Sequence, residues 1–355
     1  MSPLSPDTTT RTAPPEEPVV AVTAPVKELR ERTGYRITVF AVLIALVLVA
    51  LMLGMSTGSV GLSPAEIMHS IFGPEDYEWH TVVSDIRLPR VLVGALVGMN
   101  LAVSGAILQA IMGNPLADPG IIGISSGAGL AGMVLLLVFP ARQDALPVFS
   151  FIGAMGAALI IYVLAWRDGI QPMRVILAGV AVSALCGAGI SAVMVLYSDQ
   201  VQGTLQFMNG SLQMKGWAEF HMLWPYTVVG ILLAVFSMSR LDVIVLGDDI
   251  ARGMGMNVQG NRLFLTAIAA LLAASAVSAI GLLGFVGLIV PHIMRMVLGT
   301  SHRLLIPGTI LGGMGIVVLS DALAIWVFRP VEIPVGIVMS VIGVPFFLFL
   351  LRRAL

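Results

Sequence analysis

Apolar residues run in long blocks along this chain, with few polar positions between them. The first block, Ile37 to Met55, is 19 residues, or about 28 Å of helix at roughly 1.5 Å per residue, enough to cross a hydrocarbon core. Further blocks lie near 91–112, 119–139, 148–166, 174–197, 222–239, 261–280, 282–299, 304–325 and 333–351. Unbroken hydrophobicity of this length predicts helices, so the reading is an all-α, polytopic membrane protein with about ten transmembrane helices. The stretch from Leu263 to Val290 has no charge and is too long for one crossing, and it is divided at Gly281 and Gly284.

Composition agrees. Of 355 residues, 57% are hydrophobic and 11% charged, with mean hydropathy +0.97; a soluble domain would carry about a quarter charged residues. The net charge of −1 provides no basic field for nucleic acid. The single cysteine, Cys186, sits in an apolar run and can form neither an internal disulfide nor an ordinary metal cluster, so no metal or cofactor is expected. Residues 1–34 are rich in Thr, Pro and Glu, with Lys27, Arg30 and Arg32 just before the first block. They read as a disordered cytoplasmic tail rather than a cleavable signal, leaving 35–355 as the ten-helix membrane domain.

Charge asymmetry tests the topology separately. With both termini cytoplasmic, 14 of the 19 basic residues fall inside, leaving Arg87, Arg90, Arg142, Lys215 and Arg329 outside. That bias follows the positive-inside rule, and an even number of spans agrees with basic residues at both ends of the chain. No direct repeat is evident.

Candidate chemistry concentrates in a few stretches. From Arg87 to Gly129 the chain joins an arginine pair, an uncharged span, an Asn-Pro/Asp-Pro break and a glycine-rich restart. Pro89 suits the first turn of a helix, which puts Arg87 and Arg90 at one mouth of the span starting at Val91. Interfacial anchoring would place arginines there equally well. The longest cytoplasmic loop runs from Ser239 to Arg262, and in it Leu246, Ile250 and Met254 are spaced by four. A short helix there would show one apolar stripe, with Asp248 and Asp249 at its start and Gly253 and Gly255 ending it. Such a stripe wants a protein partner or the membrane surface, although a strongly basic polar face is missing. Within the spans the clear ionisable side chains are His292, Arg295 and Asp321. That is a thin supply for an ion-coupled carrier, and helix-end placement or a packed partner would explain Asp321 and Arg295. Gly123, Ser125 and Gly127 satisfy G-x-S-x-G, but the nucleophile turn of a serine hydrolase needs a strand-to-helix geometry that the opening of an apolar helix does not supply.

The run from Arg87 to Gly129, the loop LGDDIARGMGMNV, the later GLLGFVGLIVPHIMR with HRLLIPG, and the C-terminal VEIPVGIVMSVIGVPFFLFLLRR stand in order. Together they resemble the FecCD family, the permease subunits of iron-siderophore, haem and cobalamin ABC importers, over about residues 37–353. The resemblance implies a type II ABC importer permease fold in the bacterial cytoplasmic (inner) membrane. It implies an extracytoplasmic binding protein docking its carboxylates on arginines at the outer mouth, here Arg87 and Arg90. Where the family often adds an arginine late in the ninth helix, after the aspartate matched by Asp321, this chain has Ile325, and Arg329 follows one turn later as the third candidate. It implies a coupling segment for a cytoplasmic ATPase dimer, here Leu246, Gly247, Asp248, Asp249, Ile250, Ala251, Arg252, Met254 and Gly255. No nucleotide should bind this chain, since GxxxxGK[ST] is absent and neither of the two lysines, Lys27 and Lys215, follows a phosphate loop. It also implies a passage at the interface with a second permease subunit, lined by the fifth and tenth helices. Gly179, Ser183, Gly187 and Ser191 place small residues on one face of the fifth, a pattern that close packing within one subunit explains as well. The expected cargo is a ferric siderophore, with haem and cobalamin as alternatives. An ion-coupled carrier, an intramembrane serine hydrolase and a purely structural scaffold are the readings from other classes.

Overall fold

The block at 91–112 becomes the hub of the bundle. The computed structural model describes residues 33–354 apart from 59, 121–122, 167–171 and 330. Nearly the whole expected tail therefore lies outside the described residues; Thr33 and Gly34, its last members, open the first helix. The elements are α1 (Thr33–Ser56), α2 (Pro64–Phe72), α3 (Leu88–Met112), α4 (Ile124–Val138), α5 (Leu146–Ala165), α6 (Pro172–Leu196), α7 (Leu205–Asn209), α8 (Trp217–Phe236), α9 (Met238–Ile244), α10 (Asp248–Gly253), α11 (Val258–Ile280), α12 (Val286–Leu298), α13 (His302–Val327) and α14 (Val335–Ala354). No β-strand occurs among the described residues. Among the described residues seven helices are long and apolar enough to cross a membrane, and three shorter apolar ones, within α4, α12 and α14, stand where the third, eighth and tenth blocks were expected.

Pro89 occupies the first turn of α3 as its chemistry requires, and a π-helical turn over Val82–Arg87 leads into it. Helices α8, α11, α12 and α13 pack around α3, while α4, α5 and α6 form a second group joined through α11. The approach is close because the contact residues are glycines. A Cβ on Gly98 would stand 2.0 Å from the Gly313 carbonyl oxygen of α13, and one on Gly105 would stand 2.0 Å from that of Gly287 on α12. Small residues at membrane helix crossings allow this backbone contact.

Two expected spans are corrected. The helix expected over 119–139 begins only at Ile124, because Asn114-Pro115 and Asp118-Pro119 hold the backbone in turns instead. The Leu116 N–H donates to Asn114 Oδ1 at 2.9 Å and the Gly120 N–H to Asp118 Oδ1 at 2.8 Å. Ala117, Asp118 and Pro119 are nevertheless buried, so this irregular backbone is shielded by protein. The helix expected over 282–299 is only Val286–Leu298. The division at Gly281 and Gly284 holds: α11 ends at Ile280, and Gly281 has φ +87° with the Phe207 carbonyl oxygen 2.1 Å from where a Cβ would sit. The freed backbone groups find partners on the chain around α7, through Leu282 N–H to Phe207 O and Ser211 N–H to Ile280 O, both 2.9 Å.

Candidate functional site

Helices α3 and α13 run antiparallel, so each end of their pair gathers a different set of polar side chains. At one end the start of α3 meets the end of α13. Arg90 grips Asp321 in a fork, Nε to Oδ2 at 2.9 Å and Nη2 to Oδ1 at 3.0 Å, and its Nη1 donates to Glu332 Oε2 at 2.9 Å. Arg87 is buried; it donates to the carbonyl oxygens of Met55 at 2.7 Å and Val60 at 2.5 Å, so it ties the turn after α1 to the start of α3. Arg329 is exposed. The three arginines expected to dock a partner thus lie in different settings: one engaged by backbone, one by carboxylates and one open to solvent. Asp321 has the packed partner that the alternative reading required.

Two further ionisable groups outside the spans follow the same electrostatics. Burial pushes the Lys215 ammonium down, partly offset by the Glu219 carboxylate 3.6 Å away. On α2 the Ser63 hydroxyl and backbone N–H both donate to Glu66, holding its carboxyl below the ordinary glutamate range.

The other end of the pair carries the loop between α9 and α11. Gly247 at φ +101° turns the chain into α10, with Asp248 and Asp249 in its first turn and Arg252 in its last, as a helix dipole favours. Gly255, at φ +80°, follows the last turn. Leu246, Ile250 and Met254 are 55%, 53% and 63% exposed, whereas Ala251 between them is buried. The segment is therefore anchored by one face and open on another. Its anchor is ionic: Arg262 at the start of α11 donates to both Asp248 oxygens, at 3.0 and 2.8 Å. Arg252 reaches Asp248 and Asp249 at 3.5 and 3.6 Å. Next to it, Asp242 Oδ1 accepts from the His302 backbone N–H at 2.8 Å and lies 2.7 Å from His302 Nδ1, fixing the start of α13 to α9.

The four small residues on α6 separate. Gly179 is buried and Ser183 partly so; both abut Gly123 at the head of α4, where a Cβ would lie 3.0 Å from Gly179 O and from Ser183 Oγ. Gly187 has nothing within 4 Å of a Cβ, and Ser191 is exposed. Half of this face serves packing inside the subunit and half is open. Against α14, a cavity of about 340 Å³ is lined by Asp118, Gly284, Phe285, Leu288, Val344 and Phe347. Among the described residues no three His, Cys, Asp or Glu side chains come together to hold a metal.

Glu332, Asp242 and Arg262 were not singled out from the sequence. The available signal was weak: an isolated charge at the edge of an apolar block, whose partner is up to 242 positions away.

A multi-pass helical bundle with an ionic clasp at one end and an anchored, outwardly apolar helix at the other is the build of a membrane permease. The chain belongs to the FecCD transport family, whose model matches residues 46–353. It is a permease of ABC importers. It is 34% identical to the Fe(3+)-citrate import system permease protein YfmD of Bacillus subtilis, over 91% of this chain and 97% of that one. It is 38% identical to the hemin transport system permease protein HmuU of Yersinia pestis, over 87% of this chain and 93% of that one. A solved structure described as an inward-facing ABC transporter of metal-chelate type matches with TM-score 0.78 and 26% identity, over 90% of this chain and 99% of that one.

Proposed function

We propose that this permease moves ferric siderophores across the bacterial inner membrane, with ten spans and both termini in the cytoplasm. The observation that carries the ATP-driven reading is α10: an exposed apolar stripe of Leu246, Ile250 and Met254, held by the Asp248–Arg262 fork, fits the groove of an ATPase subunit. Alternating access then follows. A loaded binding protein docks at the outer end, where Arg329 is exposed and Arg90 lies in the clasp; Arg87 shapes that surface through the loop it holds. ATP draws two ATPase subunits together beneath the α10 segments of a permease dimer, and the passage between the subunits changes the side it faces. The open positions of α6, Gly187 and Ser191, border that passage, while Gly179 and Ser183 set the approach of α4. An almost uncharged wall suits a bulky chelate, since it grips no single conformation tightly.

Relatives named for ferric citrate, iron(3+)-hydroxamate, hemin and achromobactin support an iron chelate as cargo. Haem is the second reading on the same ground. The test is uptake of radiolabelled ferric hydroxamate into liposomes holding this chain, its ATPase and its binding protein, with and without internal ATP. ATP-dependent uptake that disappears when Asp249–Gly255 is replaced is the expected result. Uptake that ignores ATP and follows an ion gradient overturns it.

A further inference from the structure

Beside α10 lies a cavity of about 430 Å³, lined among others by Gln109, Gly247, Asp248, Arg262, Arg295 and His302. Its charges are unevenly matched. Arg262 is forked to Asp248, and His302 is tied to Asp242. Arg295, in the last turn of α12, is only partly exposed, and its guanidinium has neither ion pair nor hydrogen bond among the described residues. Two other lining residues each hold a buried polar atom without a hydrogen-bond partner among the described residues. Gln109 is 3% exposed; its Nε2 donates to the Gly287 carbonyl at 3.0 Å, and its Oε1 has no partner. His302 is likewise 3% exposed, and its Nε2 has none. Buried polar groups are ordinarily satisfied, so a half-buried, unpaired guanidinium on the wall of an open cavity marks a socket lacking its occupant.

We infer that this socket receives an acidic side chain of the ATPase subunit, whose carboxylate pairs with Arg295. The choice of occupant follows from charge and place. The unbalanced group on the wall is a guanidinium, whose fork matches a carboxylate. Gly247 and Asp248 of the coupling segment form part of the same wall, so whatever covers α10 also covers the mouth of the cavity. Coupling then has two components. The apolar stripe of α10 supplies the adhesive contact, and the Arg295 pair makes α12 and α13 follow the ATPase as well. A helix-dipole role for Arg295 needs only its charge within the last turn, and the lysine variant separates the two.

The inference rests on the ATPase-partner reading, and the experiment distinguishes their failures. Wild-type permease in nanodiscs is titrated with its ATPase, with binding followed by interferometry and ATP turnover in parallel; if wild type does not bind, the partner reading itself fails. If it binds, Arg295→Gln is expected to weaken affinity at least tenfold, Arg295→Lys to recover only part, and both to melt as wild type does. Arg295→Glu is expected to be rescued by one acid-to-arginine change on the permease-facing surface of the ATPase. Wild-type affinity for Arg295→Gln overturns the proposal, as does full recovery with lysine or the absence of any rescuing change. Saturable citrate binding by the permease alone, with ATPase affinity unmoved in Arg295→Gln, assigns the cavity to a small anion and also overturns it.

Discussion

Replacing Asp321 with alanine tests whether the clasp between α3 and α13 holds the fold as the geometry implies. The Arg90 side chain is 15% exposed and that of Asp321 8%, so the pair is nearly out of water. Two of the three bonds Arg90 makes are to Asp321; the third goes to Glu332, whose side chain is 31% exposed. Breaking a buried pair from one side leaves a desolvated charge behind and costs about 3–5 kcal/mol. Glu332 keeps part of the compensation, which places Asp321→Ala at the lower end, about 3 kcal/mol, or roughly 150-fold in the folding equilibrium. Glu332→Gln removes the more exposed partner and should cost about 0–1 kcal/mol. The combined Arg90→Met, Asp321→Leu variant removes both charges and fills their space, so it should return near wild-type stability. The assay is equilibrium unfolding in mixed micelles against increasing dodecyl sulfate, for Asp321→Ala and for the cycle of Arg90→Met, Asp321→Leu and the double variant. An Asp321→Ala protein within about 1 kcal/mol of wild type, or a double variant as unstable as Asp321→Ala, refutes the reasoning.

Three further outcomes follow from the packing and the two ends. Gly105→Ala should be costly, by about 1–3 kcal/mol or more, because its new methyl meets the Gly287 backbone at 2.0 Å; Gly187→Ala should leave melting unchanged, since nothing lies within 4 Å. Equal melting of these two variants contradicts the crossing described. Ile250→Asp should weaken ATPase binding about tenfold to a hundredfold, as expected for one aliphatic side chain losing its buried site, without moving the melting point; unchanged affinity removes α10 from the interface. Arg87→Ala should lower stability by about 1.5–3 kcal/mol, by taking a charged donor from buried carbonyls. Arg329→Ala should instead leave stability alone and weaken docking of the binding protein, read by interferometry; the reverse assignment would show that Arg87 is the docking residue.

Much of the helical order was legible in the chain because a membrane span is a local property. Twenty apolar residues satisfy their own backbone hydrogen bonds, so length and hydropathy alone place α1, α3, α5, α6, α8, α11 and α13. The start of α3 around Pro89 and the stop of α11 just before Gly281 were equally local, since a missing N–H and a positive φ belong to single residues. Helix α10 was readable from two aspartates, a four-residue apolar spacing and flanking glycines.

What failed from sequence was whatever depends on a distant neighbour. The turns over 113–120 shorten the third block, and Ala117, Asp118 and Pro119 within them are shielded by protein, which hydropathy cannot see. Arginines at helix mouths look alike in a sequence, yet Arg87 faces carbonyl oxygens, Arg90 faces Asp321 and Glu332, and Arg329 faces solvent. The small residues of α6 share one face by periodicity, and only the position of α4 divides them into a packed half and an open half. The chain by itself determined that it crosses the membrane repeatedly and where most helices begin and end, because those outcomes minimise unsatisfied backbone within a few residues. Only the tertiary structure decided which charges are spent within the fold and which are left for a partner, since Coulomb pairing acts between side chains that the bundle brings together across more than two hundred positions.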